Sequence, residues 1–156
     1  MPTSPNTYAV ATAIKAIMAG ATVNGSPAYA NTIIGGLKDY TDAMPVGVVM
    51  AVAGSVERYT LGRSAKIHDK PHFNIASVVP YASASSAEQQ LYAIRDAVTF
   101  LFAQSATLSV AGPVIVNMVP GSERYSFPTI NGNNCRAHEF LLEITYEYFL
   151  PNGPQP

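Results

Sequence analysis

The stretch Ala137-His138-Glu139-Phe140-Leu141-Leu142-Glu143-Ile144-Thr145-Tyr146-Glu147-Tyr148-Phe149 admits two readings, and the choice between them decides the fold. Glu139, Glu143 and Glu147 recur every four residues, as they would along one stripe of a helix. With a period of two, His138, Phe140, Leu142, Ile144, Tyr146 and Tyr148 point one way. Ala137, Glu139, Leu141, Glu143, Thr145, Glu147 and Phe149 then point the other. The run Ile144–Phe149 is rich in β-branched and aromatic side chains, which pack well on a pleated surface. We therefore read a long strand, and a sheet becomes the frame of the chain.

Upstream, Gly121–Arg136 is loop-like, with Asn131-Gly132 as a strong turn signal. Val114–Val119 is a short strand bracketed by Pro113 and Pro120. Before it, Ser85-Ser86-Ala87-Glu88 fits a capping box, in which Ser85 accepts from the Glu88 amide and Glu88 reaches back. The helix that follows carries an apolar stripe of Leu91, Ile94, Val98, Leu101 and Phe102 to about Gln104, with Arg95, Asp96 and Thr99 on its other side. His72–Tyr81 alternates as a strand with Phe73, Ile75 and Val79 on one side. Gly62–Lys70 is polar and reads as a loop, and Val56–Leu61 as a further strand. Val46–Ala53 is nearly all apolar, the pattern of a strand covered on both faces.

At the N-terminal side, Gly35-Gly36 ends a strand near Tyr29–Ile34, and Ala21–Pro27 is a turn-rich connection. Thr7–Ala19 is a helix with Asn6 as N-cap, Gly20 as C-cap and Val10, Ile14, Ile17 and Met18 on one face. Pro2 and Pro5 at one end, and Pro151, Pro154 and Pro156 at the other, read as tails outside the fold. The expectation is one α+β domain over 1–156, folded from about 7 to 150. Its sheet is mainly antiparallel or mixed, with helices packed on one face.

Composition narrows the function. Charged residues make up 12 % of the 156, against about 25 % in an ordinary domain, while hydrophobic residues make up 48 %. Permanent interfaces are poor in charge and rich in Tyr, so a subunit with much of its surface covered fits better than a free monomer. Residues 1–78 hold six basic and four acidic side chains and residues 79–156 hold three and six. Neither half offers the concentrated basic face of a nucleic-acid binder. No stretch approaches a membrane span. The Met1-Pro-Thr-Ser-Pro-Asn start lacks the basic and then apolar regions of a signal peptide. Cys135 is the single cysteine, which rules out an intrachain disulfide.

Patterns for chemistry are sparse. Gly35-Gly36-Leu37-Lys38 is too short for a phosphate loop and has no Ser or Thr after the lysine. Gly54-Ser55 and Gly121-Ser122 lack the second glycine of a nucleophile elbow. His68, His72, Cys135, His138 and Glu139 supply metal-ligand types, but Pro71 forbids a helix through His68–His72 and the spacing matches no zinc knuckle. The row Glu139, Glu143 and Glu147 lacks a His or Lys partner at a telling spacing, and suits a solvated face or a row of contacts better than a glycosidase pair. No enzyme activity, cofactor or metal is expected from these residues.

The order of elements resembles the tail terminator and tail completion proteins of long-tailed bacteriophages. The resemblance runs from about Tyr8 to Leu150: the Tyr8–Met18 helix, Pro45-Val46-Gly47-Val48, the strand His72–Tyr81, and the helix Ser85–Gln104 with Ala93-Ile94-Arg95-Asp96-Ala97-Val98. It continues through Val114–Val119 to the closing Glu143-Ile144-Thr145-Tyr146-Glu147-Tyr148. It implies a structural virion protein of the tail or neck, assembled in the host cytoplasm. Such a protein forms a ring, usually of six copies, at the head-proximal end of the tail tube. The ring would stop tube elongation and meet the tail tube protein on one face and the head-tail connector protein on the other, with DNA passing only through its lumen. Membranes have no part in this, and the family has no catalytic residues to carry over. On that reading Arg63, Lys66 and Lys70, with Arg58 near the base of their loop, are candidates for the interface or lumen. Glu139, Glu143 and Glu147 of an adjacent subunit are their candidate partners. Two alternatives stay open: another neck or capsid component, such as a head completion or decoration protein, and a small oligomeric metal-binding enzyme.

Overall fold

The structure is a computed structural model that describes residues 6–37, 40, 42–61, 64–105, 107, 108 and 114–151, with side chains described at all of these except 58–61, 64, 65, 114 and 147–151. In chain order it contains α1 (Thr7–Ala19), β1 (Thr22–Val23), β2 (Ser26–Pro27), β3 (Asn31–Ile34), β4 (Val46–Leu61), β5 (Ser64–Pro80), α2 (Ala84–Gln104), β6 (Val114–Met118), β7 (Arg124–Ser126), β8 (Thr129–Ile130) and β9 (Asn133–Pro151). The class is α+β, as the sequence leads one to expect.

The main sheet runs β3-β4-β5-β9-β6, with β7 and β8 also paired to β9. All its pairings are antiparallel except β3 with β4, which is parallel from Asn31↔Val46 to Ile34↔Val49. A parallel neighbour needs a crossover, and residues 35–45 supply it. Within that connection Tyr40 lies on the sheet face away from the helices, where it packs with Val46, Val48, Ala76, Val78, Ile130, Cys135 and Ala137.

Both helices lie on the other face. Asn6 Oδ1 accepts from the Ala9 amide and caps α1, and Gly20 closes it. From α1, Val10, Ile14 and Met18 join Leu91, Ile94, Val98 and Phe102 of α2 over Val49, Phe73, Ile75, Phe140, Leu142 and Ile144. Ile17 and Leu101 pack at the margin of this core. The terminal strand holds with its alternation: Phe140, Leu142, Ile144 and Tyr146 are buried under the helices. Gly47 is required where α1 meets the sheet, since a Cβ there would stand 3.0 Å from Met18 Cε and 3.2 Å from the Tyr29 ring. The Tyr29 hydroxyl shares a buried 2.6 Å hydrogen bond with Ser77 Oγ.

Four sequence expectations are corrected. The α2 cap is Ser83, whose Oγ accepts from the Ser86 amide; Ser85 lies inside the helix, and Glu88 turns to Arg136. Ala21–Pro27 forms the small β1–β2 hairpin, with Asn24 and Gly25 at positive φ as a tight turn needs. Pro151 closes β9 opposite Ser64 instead of lying in a tail, while Pro2, Pro5, Pro154 and Pro156 fall outside the described residues. The largest correction concerns Gly62–Lys70. Gly62 and Arg63 are outside the described residues, but Ser64–Lys70 is strand, continuous with His72–Pro80. Val46–Ala53 and Val56–Leu61 likewise form one strand, so β4 and β5 make a hairpin paired from Val46↔Val78 to Leu61↔Ser64. Its polar residues are tolerated because only one half of it lies under the helices.

Candidate functional site

Of the charged residues singled out from the sequence, Lys66, Lys70, Glu139 and Glu143 lie on neighbouring strands β5 and β9. Lys66, His68, Lys70 and His72 occupy alternate positions of β5, with β9 alongside. Register sets His72 opposite Glu143, His68 opposite Glu147 and Ala76 opposite Glu139. His72 Nε2 lies 3.1 Å from Glu143 Oε2. Glu139 takes an Arg124 Nε–H at 2.6 Å and an Asn74 Nδ2–H at 2.8 Å. Glu139 and Glu143 thus each have a partner within their own chain. The side chains of Arg58 and Glu147 lie outside the description, as does all of Arg63. Arg58 is opposite Ile67, well along the hairpin and not at the base of a loop.

The metal-ligand types are scattered. Cys135 pairs with Pro80 and His72 with Glu143; the eight residue steps of β9 from Cys135 to Glu143 span about 26 Å at about 3.3 Å each. His138 lies on the helix face, and Cys135 on the other face beside Met44, 3.7 Å between the sulfurs. Among the described residues no group of three or more His, Cys, Asp or Glu gathers as a metal would need.

His138 belongs to a latch that the sequence reading missed. It is fully buried, and its Nε2 stands 2.8 Å from Glu123 Oε1. Arg95 of α2 grips the same carboxylate with two bonds, Nε to Oε1 at 2.6 Å and Nη2 to Oε2 at 3.1 Å. The Arg95 guanidinium holds the Glu123 carboxyl well down, at about 2. Burial lowers the His138 imidazole, so it stays neutral and donates its Nε2–H. Ser122 Oγ donates to the Val119 carbonyl and accepts from the Leu141 amide, which fixes the adjoining turn. With its oxygen so engaged and the glutamate neutralised by Arg95, this cluster has the form of a structural fastening between α2, β9 and the turn before β7. No sequence spacing joins residues 95, 123 and 138, so only the fold could reveal it.

Several large apolar side chains also remain outward. Tyr81, Tyr92, Tyr125 and Phe127 form an exposed aromatic patch, with Tyr81 edge-on to Phe127 and Tyr92 edge-on to Tyr125. The Arg136 guanidinium lies over the Phe127 ring at 4.2 Å and is paired with Glu88. On the sheet edges, Val52 and Val56 of β4 and Ile115 of β6 are exposed, as are Tyr8 on α1 and Phe100 on α2. Every described residue of β4 from Met50 to Glu57 is exposed, and none before Glu57 is charged. No helix among the described residues is long and apolar enough to cross a membrane. Scanned against protein-family models and searched against curated proteins, the sequence gives no match.

Proposed function

We propose that this chain is a structural subunit of a homo-oligomeric ring, the tail terminator of a long-tailed bacteriophage. In that role it caps the head-proximal end of the tail tube and joins it to the head connector, in the virion. The observation that carries the reading is where the apolar surface lies. Large exposed apolar side chains stand on both helices and on both edges of the sheet, while the described glutamates of β9, Glu123 and Glu88 are bound to basic groups of their own chain. A ring subunit is touched on two flanks and two faces, and charge is excluded from the centres of such contacts. The resemblance in element order supports the same role. On this reading the chain is not an enzyme, and DNA meets it only as it passes through the lumen.

The test is to disrupt the chain in a phage that carries it and to measure tail length by electron microscopy. Overlong tail tubes are expected, because polymerisation loses its stop. Tails of normal length beside defective heads would contradict the terminator role and place the chain in the neck or capsid.

A further inference from the structure

The helix-bearing half of β4 is flanked on both sides, by β3 and β5. Beyond Val49 the parallel neighbour ends: the Gly35 amide donates to the Val49 carbonyl, and the chain turns away at Gly35, where φ is 110°. From Ala51 to Leu61, β4 pairs with β5 alone among the described residues. One side of that half therefore presents a row of backbone donors and acceptors with no strand beside them. Natural sheets blunt such edges with lysine, proline or an inward charge. Here Ala51–Leu61 contains no lysine or proline, its two charges are Glu57 and Arg58, and Val56 is 67 % exposed.

We infer that the outer edge of β4, Ala51–Leu61, is a strand-addition site, and that its occupant is the same edge of a second copy, paired antiparallel about a two-fold axis at Val56. The occupant must be an extended strand with few charges, and this edge, with Glu57 and Arg58 as its two charges among eleven residues, meets that description itself. A two-fold axis normal to the sheet sets two copies of one strand antiparallel and keeps their faces aligned, so each residue meets one of equal parity. Centred on Val56, the regular ladder runs from Ala53 opposite Tyr59 to Tyr59 opposite Ala53, within the length β3 leaves open. Val56 then faces Val56, Glu57 faces Ser55 and Arg58 faces Gly54. Centring one or two residues later sets Glu57 opposite Glu57 or Arg58 opposite Arg58, which is destabilising. The irregularity between Ala51 and Ala53 falls at the ends of the ladder and leaves its centre regular. This contact is two-fold, so it is distinct from the head-to-tail contacts that close a ring. It joins two protomers, or two rings back to back, and does not depend on the tail reading.

The experiment is oxidative cross-linking of Val56→Cys in the full chain. The native Cys135 is buried, so the wild type provides the background. Directly opposite residues of an antiparallel pair stand about 4.5–5.5 Å apart between Cα atoms, within the range a disulfide spans. Val56→Cys is expected to give a covalent dimer, while Val52→Cys, opposite Thr60, stays unlinked. Val56→Lys sets two ammonium groups against each other at the axis, and it is expected to sediment as a smaller species than the wild type with an unchanged melting temperature. Equal cross-linking of the two cysteine variants, or identical sedimentation of wild type and Val56→Lys, would overturn the inference. Rings that form without the Val56 cross-link would refute this contact and leave the ring itself standing.

Discussion

One strand, β4, crosses two environments. Val46, Val48 and Val49 are buried under 5 % exposure or less, between the helices on one face and the 35–45 crossover on the other. A few residues on, Val52 and Val56 are 46 % and 67 % exposed in the same strand, with the same type of side chain. The first half is completed by its own chain. The second has hydrogen-bonding and apolar capacity that no described strand of its own chain meets on one side. The difference shows that strand formation here follows pairing with β5 and not burial.

Substitutions should separate the two halves most sharply in the core. Phe73→Ala, at a fully buried position opposite Ala51 and Leu142, is expected to cost about 3–5 kcal/mol, and Leu91→Ala in α2 about 2–5 kcal/mol. Val56→Ala on the open half should stay within about 0.5 kcal/mol. Urea denaturation gives all three values, and a Val56→Ala loss as large as that of Phe73→Ala would abolish the contrast.

Glycines probe the same division at smaller cost. A Cβ at Gly47 meets the flexible end of Met18 and the Tyr29 ring, whereas at Gly54 it meets the β5 backbone, with Pro71 Cα at 2.9 Å and the Lys70 carbonyl oxygen at 3.0 Å. Overpacking of this kind costs about 1–3 kcal/mol. We expect Gly54→Ala to sit at the upper end, because a backbone yields less easily than a methionine tip. Thermal melts that rank Gly47→Ala as the more damaging would show that the open half of the hairpin adjusts freely.

The latch titrates. Glu123 is depressed from 4.5 to about 2 by the Arg95 guanidinium, so its stabilising effect is complete above about 4.5 and is lost as pH falls toward 2. Burial lowers His138 below its ordinary 6.5, so its contribution is present above that value and declines as pH falls beneath it. Glu123→Gln should therefore flatten the fall in stability between about pH 4.5 and 2. An unaltered acid profile by chemical denaturation would remove the latch from the account. A small effect is also expected at the His72–Glu143 pair, which is partly exposed on both sides. Glu143→Gln should cost less than about 1 kcal/mol.

Local signals carried much of the architecture: the period-two alternation around Phe140–Tyr146, the stripe Leu91–Phe102, and the caps Asn6 and Gly20 all act over a few residues and are visible in a linear chain. The continuous hairpin was not legible, because Lys66, His68, Asp69 and Lys70 resemble loop residues when nothing indicates the two neighbouring strands that hold them. The cap of α2 was displaced by two residues because Glu88 finds Arg136, a partner 48 positions away. The crossover at Tyr40 and the Arg95–Glu123–His138 latch depend on contacts that no short-range pattern encodes. Among the candidate interface residues, the period-two alternation places Glu139 and Glu143 on one face, whereas their intrachain partners Asn74, Arg124 and His72 are set by strand register and not by local spacing.

Hydrogen exchange of the whole chain, followed by mass spectrometry at low and high protein concentration, bears most directly on the claim that β4 is completed by another copy. Peptides covering 51–61 should gain protection as concentration rises, while peptides covering 73–80, flanked by β4 and β9 within one chain, stay protected at both. Exchange across 51–61 that is independent of concentration would contradict the account.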